Sequence, residues 1–162
     1  MKITKWLMAL NALLLPAYAI GGDYDVTVTR DDSNIYRIVG KDAYVHTKYC
    51  YEYVYSEDSL LRMSGTSGTI VFLDEKAQCD VEAVYVASNV GPGKYDVQVS
   101  QEDDNLYEVS GTDMFVRTSL CLNLALGEDA LLRIEGGGSG TLYFLESNDQ
   151  CAVENVLSKA RL

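Results

Sequence analysis

Along most of this chain, apolar side chains recur at every second position. Tyr24, Val26 and Val28 alternate with Asp25, Thr27 and Thr29, the period of a strand with one buried face and one wet face. The turn residues Asp31-Asp32-Ser33-Asn34 lead into a second run, Ile35 to Val39, and Gly40-Lys41-Asp42 leads into a third, Ala43 to Thr47. Tyr49 to Tyr55 is strongly β in composition and is expected as a further strand. Leu60 to Met63 and Ile70 to Leu73 flank a glycine-containing turn and predict a hairpin. Val81 to Val86 supplies a closing strand. Only Glu57 to Met63 suits a helical turn as well. Short strands separated by turns at this spacing predict an all-β fold built on a small antiparallel barrel or sandwich.

The same pattern occurs twice. Tyr24-Asp25-Val26 returns as Tyr95-Asp96-Val97, Asn34 and Tyr36 as Asn105 and Tyr107, and Glu57-Asp58 with Leu60-Leu61-Arg62 as Glu128-Asp129 with Leu131-Leu132-Arg133. All these pairs lie 71 positions apart, and 17 of the 40 positions from Tyr24 to Met63 are identical to their counterparts. One extra glycine then shifts the offset to 72, so that Ser67-Gly68-Thr69 matches Ser139-Gly140-Thr141 and Cys79 matches Cys151. A period this long fits a domain rather than a solenoid unit. Two tandem domains are therefore expected, residues 22–88 and 93–162, joined at Gly91-Pro92-Gly93.

The start of the chain departs from the alternation. Lys2 and Lys5 precede an apolar run from Trp6 to Leu15, then Pro16 and the small-x-small pattern Ala17-Tyr18-Ala19. Residues 1–19 are expected to be a cleaved signal peptide, the run being too short to span a bilayer. All four cysteines, Cys50, Cys79, Cys121 and Cys151, lie beyond it. An even number in an exported chain predicts disulfides. Their matched places in the repeat predict Cys50–Cys79 and Cys121–Cys151, each closing about 30 residues for about 3 to 4 kcal/mol in the chain-entropy model.

Without the two lysines of the leader, 11 basic residues face 24 acidic ones, a formal charge of −13. That balance argues against nucleic acid and anionic membrane surfaces and favours a basic protein as partner. No further stretch is apolar enough to span a membrane. Catalytic signals are weak. His46, the single histidine, is replaced by Arg117 in the second copy, and the glycine turns lack the lysine and following helix of a phosphate loop. The acidic turns Asp31-Asp32-Ser33-Asn34 and Glu102-Asp103-Asp104-Asn105 offer oxygens but not EF-hand spacing, and such residues fill turns on their own account. No catalytic residue, metal site or cofactor is expected. Glu57, Asp58 and Arg62 are expected to form a structural ion pair.

What the copies do not share points to recognition. Tyr44, Tyr51, Tyr53 and Tyr85 are Phe115, Leu122, Leu124 and Leu157 in the second copy, and tyrosine suits binding surfaces. These four are the candidate binding residues. The face formed by Tyr49, Tyr51, Tyr53 and Tyr55 matches Leu120, Leu122, Leu124 and Leu126. Because four leucines in a row should be buried, this face is expected to lie mainly in a core or between domains. The resulting picture is an exported, non-catalytic binding or structural module of the periplasm or extracellular space. The alternative is an acidic inhibitor or immunity protein for a basic hydrolase or toxin.

Overall fold

The structure is a computed structural model and describes residues 21–162; the expected signal peptide lies outside the described residues. Twelve strands make up the fold: β1 (Gly21–Arg30), β2 (Ile35–Ile38), β3 (Ala43–Lys48), β4 (Glu57–Ser64), β5 (Ser67–Phe72), β6 (Ala77–Ala87), β7 (Gly93–Asp103), β8 (Leu106–Val109), β9 (Met114–Ser119), β10 (Glu128–Ile134), β11 (Gly140–Phe144) and β12 (Asp149–Lys159). Glu57 to Met63 is thus strand, with burial alternating residue by residue as its period of two requires.

All pairings are antiparallel. β1 pairs with β2 and β4, β3 with β2 and β6, and β5 with β4 and β6, so the first six strands close into a barrel. The same set of pairings recurs among β7 to β12. The repeated Ser-Gly-Thr marks a close approach at each β4–β5-type hairpin. A Cβ at Gly68 would collide with the Arg62 carbonyl, and one at Gly140 with the Arg133 carbonyl. Both disulfides join the cysteines expected, Cys50–Cys79 and Cys121–Cys151, and they point to an oxidising, exported environment.

Each ring encloses its own core, one around Tyr36, Leu61 and Phe72 and one around Tyr107, Leu132 and Phe144. A third cluster, Ile35, Tyr44, Ala83, Tyr85, Leu106, Phe115 and Leu157, lies between the two rings. It explains why five successive residues of β3, Ala43 to Thr47, are buried. Val45 faces the inside of the ring and Tyr44 faces the other half.

The halves meet around a pseudo-twofold axis. Tyr85 pairs with Lys159, Val86 with Ser158 and Ala87 with Leu157, and the 72-residue offset maps this set onto itself. The strand ends are exchanged. Val90 packs on the second core, while Ala160 and Leu162 pack on the first. Leu162 also exchanges backbone hydrogen bonds with Gly65 at 3.0 and 3.1 Å.

Two expectations need correction. Arg62 pairs with Asp23 at 3.6 Å rather than with Glu57 or Asp58. Glu57 is buried and instead accepts the N–H groups of Asp74 and Glu75, capping the turn after β5. The segment Tyr49 to Tyr55 is no strand but an extended loop, as is its counterpart. The tyrosines and leucines expected to be buried are 74–86% and 79–95% exposed, respectively.

Candidate functional site

The loop 49–56 projects its tyrosines because its even-numbered residues are tied from beneath. Cys50 is held by the disulfide and by the Asn34 side chain, which accepts its N–H. The buried Tyr36 hydroxyl donates to the Glu52 carbonyl at 2.8 Å. Val54 is buried and its carbonyl accepts the Arg30 N–H. With alternate positions fixed inward, Tyr49, Tyr51, Tyr53 and Tyr55 can only point outward. Arg30 lies 5.1 Å over the Tyr53 ring.

The loop 120–127 repeats every anchor. Cys121 is disulfide-bonded, its N–H donates to Asn105, Tyr107 donates to the Asn123 carbonyl at 2.6 Å, and Gln101 donates to the carbonyl of the buried Ala125. Burial pushes the phenols of Tyr36 and Tyr107 up to about 12, so these anchors stay protonated. Both loops begin on a bulky residue in the left-handed region, Tyr49 and Leu120, each at φ 50°. That conformation is unfavourable for such side chains, and both copies keep it at the point where the loop leaves the barrel.

A second constellation lies on the pseudo-twofold contact. His46, 2% exposed, places Nε2 3.0 Å from Asp103 Oδ2 and Nδ1 3.4 Å from the Tyr85 hydroxyl. Asn34 Nδ2 donates to the same Asp103 oxygen at 3.0 Å, and Ser33 donates to Asp104. Across the axis, Asn105 Nδ2 donates to Asp32 at 2.8 Å, and Arg117 Nη2 donates to Asp31 at 2.8 Å. Each of these asparagines therefore holds a cysteine N–H of its own half and a carboxylate of the other. Burial alone would raise the Asp103 pKa, but hydrogen bonds from His46, the Asp104 N–H and Asn34 outweigh it and leave the group below the usual carboxylate value. The two acidic turns considered for calcium thus face each other, and several of their oxygens are engaged by donors from the opposite half.

The candidate binding residues separate into two groups. Tyr51 and Tyr53 stand on the exposed loop. Tyr44 and Tyr85, at 6% and 1% exposure, belong to the core between the halves and offer no face to a partner. Their replacement by Phe115 and Leu157 reflects packing across that core, where the Tyr85 and Phe115 rings sit 4.5 Å apart. The leucines of the second loop, expected to be buried, stand exposed in the same way. The signal available for them was alternation without Gly or Pro beside a cysteine.

One surface depression, about 460 Å³, is lined by Arg62, Met63, Ser64, Ser67, Gly68, Thr69, Asp80 and Val81 and holds no histidine or cysteine. No helix in this part of the chain is long and apolar enough to cross a membrane. Comparison with protein-family models, curated proteins and solved structures finds no match to the chain.

Proposed function

We propose that the protein is an exported, non-catalytic binding module of the periplasm or extracellular space, made of two tandem barrel domains. It engages a protein partner through the loops 49–56 and 120–127. The observation that carries this reading is the exposure of eight large apolar or aromatic side chains on two rigidly anchored loops. Exposed apolar clusters of this kind are uncommon on a soluble protein without a binding role. The partner that fits is a protein with an apolar cleft flanked by basic groups, because the −13 charge of the chain beyond residue 19 complements such a rim. The same charge disfavours anionic lipid as the occupant.

The inhibitor reading gains from one feature. A loop stapled at its root by a disulfide and held by buried anchors loses little entropy on binding, which is what a projecting inhibitory loop requires.

The test uses the chain from residue 20 onward, immobilised against the native exported fraction, with recovered partners measured by calorimetry. Leu122→Ser with Leu124→Ser, and Tyr51→Ser with Tyr53→Ser, should each weaken binding at least about tenfold, the effect of truncating a hot spot. Affinity should also fall with salt. Unchanged binding in both variants, or no protein retained by the unaltered chain, overturns the reading.

A further inference from the structure

The pseudo-twofold contact contains two equivalent carboxylate clusters, and of the two only the first has a buried arginine or lysine at its centre. In the first, Arg117 is buried and faces Asp31 at 2.8 Å, Asp32 at 3.7 Å and Glu154 at 3.8 Å. The repeat maps these onto His46, Glu102, Asp103 and Glu82. The second cluster therefore keeps all three carboxylates but has an imidazole where the first has a guanidinium. One ligand atom from each of His46, Glu82 and Glu102 lies within 4.8 Å of the others.

The backbone aims these groups at one point. Glu82 is the extra residue where the β3–β6 register shifts between His46 and Thr47. Glu102 is the extra residue where the β7–β8 register shifts between Gln101 and Asp103. Bulges of this kind redirect a side chain out of the alternation of the strand. Here two bulges, one from each half, bring carboxylates to the same buried histidine.

We propose that His46, Glu82 and Glu102 form a binding site for a divalent transition-metal ion of the zinc class, bridging the two halves. Imidazole with carboxylates is a ligand set suited to such ions. Nε2 donates to the Asp103 carboxylate at 3.0 Å, so Nδ1, which has only the longer 3.4 Å contact with the Tyr85 hydroxyl, is the nitrogen left for the metal. Asp103 is then the outer partner which fixes the tautomer and ring orientation of a metal-bound histidine. The ion replaces the charge that Arg117 supplies on the other side of the axis. Lys48 lies 3.4 Å from Glu82, but both groups are largely exposed, and a surface pair of this kind yields to a metal at little cost.

Zinc chloride titrated into the chain, followed by calorimetry and by NMR of the imidazole C–H signals, tests the site. The sequence has a single histidine, so those signals report His46 alone. The expected result is one zinc per chain, with the ring signals shifted in step with the heat. His46→Arg, which copies the other cluster, should weaken zinc binding at least about tenfold. The exposed changes Glu82→Gln and Glu102→Gln should each weaken it by about tenfold or more, within the range for loss of groups that support a metal site. Imidazole signals unmoved by zinc overturn the proposal, as does His46→Arg binding zinc like the unaltered chain. If His46→Arg does not fold, unchanged affinity in both glutamine variants overturns it instead. None of these outcomes depends on the role of the projecting loops.

Discussion

Leu157→Ala asks whether the two halves share one cooperative core. Leu157 is fully buried in the cluster between the rings, together with Tyr85 and Phe115 from opposite halves. Removing its side-chain atoms from an apolar site costs about 1.5 to 3 kcal/mol in transfer terms. Leu→Ala in a packed core typically reaches about 2.7 to 5 kcal/mol once the residual cavity is included. The void here is walled by aromatic rings on strands that are paired on both sides, so it cannot close by small shifts. A loss of about 3 to 4 kcal/mol is expected, in the upper part of that span. Urea unfolding gives the magnitude, and amide hydrogen exchange gives the distribution. Protection should fall in β3 and β6 as much as in β9 and β12, because the missing side chain supported both halves. A loss under about 1 kcal/mol would refute the reasoning. So would a loss of protection confined to residues 93–162, which would show that the halves fold as separate units despite their contact.

Arg117→Met should destabilise by about 2 to 4 kcal/mol, a discount on the cost of breaking a fully buried ion pair because Asp31 and Glu154 are partly exposed; chemical denaturation reads it, and Asp31→Asn in the same background should recover part of the loss. Glu128 carries a depressed pKa, since the Ser147 N–H and hydroxyl, Asn123 and the Glu146 N–H outweigh the effect of burial. Its contribution is therefore present above the unfolded carboxyl value near pH 4 and is lost as pH falls through the lower folded value, so Glu128→Gln should flatten the acid limb of a stability–pH curve, and an unchanged limb would count against it. Leu120→Gly relieves a left-handed leucine and should leave stability level or raise it by up to about 1 kcal/mol, the strain of about 1 to 2 kcal/mol less the entropy of glycine; a clear drop in melting temperature would show that the leucine makes contacts its exposure hides.

Much of this architecture was legible in the chain. The apolar runs located all six strands of the first half, with one false strand at Tyr49 to Tyr55, and the repeat offset of 71 then 72 extended the pattern to the second half and paired the cysteines. The loops were misread for a physical reason. Alternation in Tyr49 to Tyr55 states which residues share a side, but not whether that side faces a core or the solvent. The inference from four leucines to burial ran the hydrophobic rule backwards, since apolar residues also supply much of a protein surface. The contact between the halves was hidden for another reason. Its members, such as His46 with Asp103 and Asn105 with Asp32, lie more than fifty residues apart, and no local pattern marks them. The exchange of His46 for Arg117 at one repeat position, with three acidic positions retained around it, was the only trace in the sequence.

The duplication has a consequence for how these paired clusters can change. In a dimer of identical chains, a substitution at the contact appears on both sides of the axis at once. Joining the copies through residues 88–92 removes that constraint and holds the second half at an effective concentration in the millimolar range, as short tethers do. The contact then forms at any dilution of the chain. One side of the axis is free to keep its arginine while the other becomes a histidine, so a fused pair can carry two different chemistries on one symmetric frame.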